Sequence, residues 1–129
     1  QTEVNLGIIP GIGGTQNLSR AIGEKKAKEL IFTGAVFSAE QAYEWGLANK
    51  IFSSEKLLEK TLQTAKIISE KGPVAIKQAK IAISKGMQMS LLDGMAFEIE
   101  AYNRTIPTED RKEGIKAFNE KRKPDFKGK

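Results

Sequence analysis

The chain has 129 residues, with 21 Lys and Arg, 16 Asp and Glu, and neither histidine nor cysteine. One modest domain is the most that such a length supports. The missing cysteines exclude disulfides, thiolate nucleophiles and Cys-ligated zinc or iron–sulfur sites, and the missing histidines remove the commonest general base and metal ligand. Acid–base work therefore falls to Glu, Asp, Lys or Tyr, and no metal site is expected.

The net charge of +5 is unevenly spread. Residues 1–47 carry 4 basic and 5 acidic side chains, residues 48–129 carry 17 and 11, and the stretch from Arg111 to Lys129 alone carries 8 and 3. A basic tail of this kind points to an anionic partner: a phosphate, a nucleic acid or a membrane surface. No run approaches the ~20 apolar residues of a membrane span, and nothing resembles a signal peptide. A cytoplasmic protein with no membrane segment is the expectation. The chain opens on Gln1 and reaches its first methionine at Met87, as part of a longer polypeptide would.

In chain order, Val4–Leu6 and Ile8–Ile9 are short apolar pieces that predict a strand or extended segment, broken by Gly7 and ended by Pro10-Gly11-Ile12-Gly13-Gly14. Thr15 opens a helix to about Ile22, and a second runs from Glu24 to Phe32 and stops at Gly34. Ser38 and Gln41 fit a capping box for a short helix ending at Gly46. A composition change near Leu47 predicts a boundary, with residues 1–47 on one side and 48–129 on the other. Ala48–Phe52 reads as a short strand.

Beyond it the pattern is helical. Ser54 is placed to cap a helix carrying Leu58, Leu62, Ala65 and Ile68 on one face, and Gly72-Pro73 ends it and starts the next. That helix has Ala75, Ala79, Ala82, Ile76 and Ile83 on a broad apolar side and stops at Gly86. Ser90, with Asp93 at the third position, caps a helix striped by Leu92, Met95, Ala96, Ile99 and Tyr102. Thr108, Glu109 and Asp110 begin a last helix, which Pro124 ends. The expected class is mostly α, with α/β character at the N-terminal edge.

Three features could carry chemistry. The glycines at 11, 13 and 14 fit neither a dinucleotide fingerprint, because Gln16 stands where that pattern needs a small residue, nor a Walker loop. Taken alone they are a turn, although open backbone amides at a helix start can also hold a water or an oxyanion. Glu3, alone, is a solvated carboxylate; beside Val4, Leu6 and Ile8 it is also a candidate acid or base, since apolar neighbours suit a carboxyl to proton transfer. Phe118 and Lys121, spaced i,i+3, would put a ring and an ammonium on one helix face. The ordinary reading is a core Phe beside a solvated Lys, and the alternative is a ring against a flat base with a cation for its phosphate.

The run Glu3-Val4-Asn5-Leu6-Gly7-Ile8-Ile9-Pro10-Gly11-Ile12-Gly13-Gly14-Thr15-Gln16, followed by Leu18 and Arg20, resembles the signature of the enoyl-CoA hydratase/isomerase (crotonase) superfamily. The likeness continues through Ala27-Lys28-Glu29-Leu30, Thr33-Gly34, Ala39-Glu40-Gln41-Ala42 and Gly46-Leu47 to Thr108–Gly114 and Phe118–Pro124. It implies the C-terminal half of a ββα-spiral fold: residues 1–47 as the last portion of the spiral core and 48–129 as the helical C-terminal trimerisation region. It also implies hydration of an enoyl-CoA thioester, with the CoA thioester as substrate and no separate cofactor.

By the same resemblance Glu3 orients and deprotonates the attacking water, the Gly11 amide helps hold it, and Phe118 and Lys121 approach the adenine and phosphates of CoA, often in a neighbouring subunit's site. The second glutamate and both oxyanion-hole amides lie upstream of Gln1 in that pattern, so residues 1–129 alone are expected to be inactive. A homo-oligomer, trimer or dimer of trimers, is implied, and the basic tail then needs no nucleic acid. Thr2 stands where the family commonly has proline. Two alternatives stay open: another reaction of the superfamily, such as enoyl-CoA isomerisation, and a non-catalytic helical module that binds anions.

Overall fold

A computed structural model describes all of Gln1–Lys129. It contains a 3₁₀ turn at Glu3–Leu6 and seven α-helices: α1 Gly14–Ile22, α2 Glu24–Thr33, α3 Ala39–Glu44, α4 Ser54–Ser69, α5 Pro73–Gly86, α6 Leu91–Asn103 and α7 Glu109–Asn119. The mostly α expectation therefore holds, but neither strand forms. Glu3–Leu6 closes into the 3₁₀ turn, with the Asn5 amide on Thr2 O and the Gly7 amide on Val4 O, both at 3.0 Å. Ala48–Phe52 is irregular. A strand needs a neighbour to take its backbone groups, and nothing in the chain is extended beside either segment.

The chain divides into two compact units, Gln1–Leu58 and Glu59–Lys129. In the first, Leu18 of α1 and Ala27, Leu30 and Ile31 of α2 form a small core against which Val4, Ile22, Phe37 and Trp45 pack. Trp45 meets the Phe37 ring edge-on at 5.4 Å and carries the Lys26 ammonium 4.9 Å above its own ring. α2 ends at Gly34, whose φ of 60° lets its amide reach Ile31 O (3.3 Å) while the Ala35 amide reaches Leu30 O (3.1 Å). The capping box at α3 forms both ways: the Gln41 amide donates to Ser38 Oγ at 3.2 Å and the Ser38 amide to Gln41 Oε1 at 3.0 Å, an arrangement typically worth ~1 kcal/mol.

α4 starts one residue earlier than the cap reading supposed. The Ser53 carbonyl takes the Lys56 and Leu57 amides at 3.0 and 2.9 Å, so Ser54 is already helical. In the second unit, α5 opens on Pro73, and α6 opens on Ser90, whose hydroxyl accepts the Asp93 amide at 3.2 Å. α5 and α6 pack along small residues. A Cβ placed on Gly94 would lie 3.5 Å from Gly86 Cα, so the backbones meet almost directly there. The larger side chains of the stripes stay outside: Leu58 and Leu62 of α4 and Leu92, Met95 and Ile99 of α6 are all exposed. Tertiary burial in this unit falls on Gly72, Ala101, Ala117 and one carboxylate, Asp110.

Asp110 holds the C-terminal tail. Its Oδ1 accepts the Lys127 amide at 2.6 Å, its Oδ2 the Gly128 amide at 2.9 Å, and its own amide donates to Lys129 O at 3.1 Å. Phe126 lies along Gly72 and Gly114, close enough that a Cβ on either would be in van der Waals contact with its ring. Asp110→Ala should therefore release the tail at a cost of about 1–3 kcal/mol, the penalty for removing one partner of a buried hydrogen bond. Amide hydrogen exchange at Lys127 and Gly128 checks this: both should exchange faster, with the amides of α1 and α2 unaffected.

Candidate active site

Glu3 begins the 3₁₀ turn, and that turn is fixed from both sides. Gln1 lies against Gly14 at the start of α1, where a Cβ would also come within 2.7 Å of Pro10 Cβ. Asn5 lies against Gly34 at the end of α2, where a Cβ would sit 2.8 Å from Asn5 Nδ2. Two glycine contacts thus hold the residues flanking Glu3 to two helix ends. Val4 turns inward onto the α1–α2 core, while Leu6 and Ile8 face outward and do not enclose Glu3 as the sequence suggested. An odd–even strand pattern no longer applies once the segment winds as a 3₁₀ turn.

Glu3 Oε2 is nevertheless shielded from solvent and has no hydrogen-bond partner. A shielded, unpaired carboxylate oxygen is costly. Gly11 lies in the turn that leads into α1. Its backbone does not itself demand glycine: its φ is not positive, and a Cβ would meet only Ile9 O at 3.8 Å. Within the chain's hydrogen bonds the Gly11 amide donates none, which leaves it able to hold a water.

Phe118 and Lys121 belong to the second unit, and they do not share a helix face. α7 ends at Asn119, well before Pro124, and Lys121 stands past the end with a φ of 53°, the one non-glycine residue with positive φ. The Arg122 amide reaches back to Ala117 O at 3.0 Å and the Lys121 amide to Phe118 O at 3.2 Å. This is the Schellman termination, with lysine where glycine is usual, at a backbone cost of about 1–2 kcal/mol. Phe118 is exposed, so it is not the core residue of the ordinary reading.

The residues that hold this turn were not singled out from sequence. Arg122 makes a two-pronged contact with Glu113, Nη1 to Oε1 at 2.6 Å and Nη2 to Oε2 at 2.9 Å, and its Nε donates to Glu120 Oε2 at 2.6 Å. Glu113 Oε1 also accepts the Asp125 amide at 2.9 Å. These donors hold the Glu113 carboxyl well below the usual range, at about 2. Glu113 stands one helical turn after Asp110, so both tail-holding carboxylates share a face of α7. That i,i+3 acidic pair ahead of a basic tail was the available signal, submerged in the overall positive count. No group of three His, Cys, Asp or Glu side chains is placed to hold a metal ion, and no helix is long and apolar enough to cross a membrane.

The model of the family described as enoyl-CoA hydratase/isomerase matches residues 1–129. This chain belongs to the enoyl-CoA hydratase/isomerase family. Among its relatives, the mitochondrial methylglutaconyl-CoA hydratase of Homo sapiens is 45% identical, over 98% of this chain and 38% of that protein. Crotonyl-CoA hydratase of Syntrophomonas wolfei is 43% identical, over 98% of this chain and 48% of that one. The crystal structure of an enoyl-CoA hydratase from Bacillus anthracis matches with a TM-score of 0.97 at 48% identity, covering 99% of this chain and 50% of that chain. The chain thus spans 38–50% of the length of these hydratases, with the fold of that part.

Two outcomes follow from the geometry. Gly34→Ala should cost about 1–2 kcal/mol, because it puts a side chain into left-handed backbone and against Asn5. Thermal unfolding read at Trp45 checks the loss. The Glu113 contacts should carry a pH dependence of definite sign. With its carboxyl lowered from 4.5 to about 2, Glu113 stabilises the folded tail fully above pH 4.5 and loses that contribution as the pH falls towards 2. The protection factor of the Asp125 amide, which corrects for the pH dependence of intrinsic exchange, should fall through that window as the carboxyl protonates.

Proposed function

We propose that this chain supplies part of the active site of an enoyl-CoA hydratase, which adds water across the α,β double bond of an enoyl-CoA thioester. Glu3 Oε2 orients the water and takes its proton as the oxygen bonds to the β-carbon, and the Gly11 amide helps to hold that water. The α-carbon gains a proton from a donor outside residues 1–129, and return of the proton from Glu3 to that donor resets the site. Donors for the thioester oxygen also lie outside these residues. Phe118 meets the adenine of CoA and Lys121 its phosphates, in the site of its own or a neighbouring subunit. The observation that carries the reading is the shielded, unpartnered Oε2 of Glu3 in a chain matched by the family over its whole length.

The exposed Leu58, Leu62, Leu92, Met95 and Ile99 support assembly through the helical region, as a trimer or a dimer of trimers. Light scattering that returned the mass of a single polypeptide would overturn that part.

Activity tests the rest. In the complete polypeptide, Glu3→Gln should lower kcat for crotonyl-CoA about 10²–10⁴-fold, the usual share of general acid–base catalysis, with KM little changed. An unchanged kcat would remove Glu3 from the mechanism. Residues 1–129 alone should give no turnover, since each missing oxyanion donor is typically worth about 10²–10³ in rate.

A further inference from the structure

Lys121 occupies a backbone conformation that lysine does not choose. Its turn is closed by only two backbone hydrogen bonds, and those would form equally well around glycine. A side chain in left-handed backbone persists where its surroundings over-determine it. Here the restraint comes from the residues that follow. Arg122 returns onto α7 and is gripped by Glu113 at both guanidinium prongs, with Glu120 on its Nε and its own Nη1 on Lys123 O at 3.1 Å. Glu113 also fixes Asp125 through its amide. One carboxylate on the helix therefore fastens the chain on the far side of Lys121.

The basic run at 121–123 is thereby divided. Arg122, the residue chemically best suited to a two-pronged phosphate contact, is already committed to two carboxylates. Lys121 is exposed and enters none of the chain's ion pairs. Its direction from the backbone is set by the turn, not by the helix.

We infer that Glu113 and Arg122 are positioning residues: their clasp holds Lys121 in its left-handed conformation and so aims the ammonium at the phosphates of the CoA thioester. The inference rests on the reading of Lys121 as a phosphate contact given above. It makes Arg122 a structural cation and leaves phosphate binding to its neighbour.

The test is a cycle of variants in the complete polypeptide, with crotonyl-CoA and crotonyl-pantetheine, which lacks the nucleotide, as substrates. Glu113→Gln/Arg122→Gln opens the clasp without changing net charge. It should raise KM for crotonyl-CoA about threefold, the scale of an exposed ion pair, leave kcat unchanged, and leave KM for crotonyl-pantetheine unchanged. Added to Lys121→Met, it should raise KM no further. The amide–Hα coupling constant of residue 121 should report loss of positive φ in the clasp variant, independently of activity. If Lys121→Met raises KM but opening the clasp does not, or if the two effects add, the inference fails and the reading of Lys121 stands. If Lys121→Met itself leaves KM unchanged, that reading fails and takes the inference with it. A residue 121 that keeps its coupling constant in the open-clasp variant also overturns the inference.

Discussion

A helix leaves four amides unpaired at its start and four carbonyls unpaired at its end, and the way this chain satisfies them decides where each proposed functional group stands. Glu3 opens a 3₁₀ turn pinned between the start of α1 and the end of α2. Gly11 lies in the loop that delivers the chain into α1. Lys121 is the residue on which the end of α7 turns. Long-range core packing contributes little to these placements, because few side chains are buried and several of those are alanine.

The two units solve this problem differently. In Gln1–Leu58 close contact at Gly14 and Gly34 does it: where a side chain is absent, Gln1 and Asn5 come in, and the turn carrying Glu3 comes with them. In Glu59–Lys129 charge does it. Asp110 and Glu113, successive on one face of α7, accept backbone amides from the tail, and Glu113 adds the guanidinium of Arg122. A buried carboxylate loses its hydration, and the two charge-assisted bonds from tail amides offset that cost. The tail's positive charge is thus partly consumed in holding the tail itself.

The helices were legible from sequence because their boundaries are written in local chemistry. Ser38, Gly72-Pro73, Ser90 and Thr108 each mark a start that the structure confirms within a residue. Whether an apolar segment becomes a strand is different. It depends on a partner, and Val4–Leu6 and Ala48–Phe52, lacking one, wind or stay irregular. Phe118 was visible as an exposed-ring candidate, but the face it was to share with Lys121 was not, because a left-handed lysine has no local signature. The Glu113–Arg122 contact joins residues nine apart across a turn, and spacing rules written for a continuing helix do not reach it. Local chemistry raised Glu3 only as one candidate among many carboxylates, and the family signature supplied the reason to prefer it.

Trp45 is the only tryptophan, and it belongs wholly to the first unit, beside Phe37 and under Lys26. Its emission is therefore a private reporter. Quenching or a spectral shift follows the packing around α2 and α3. A fluorescence melt and a circular-dichroism melt of this chain consequently sample different parts of the molecule, and only their coincidence would establish that the two units unfold as one.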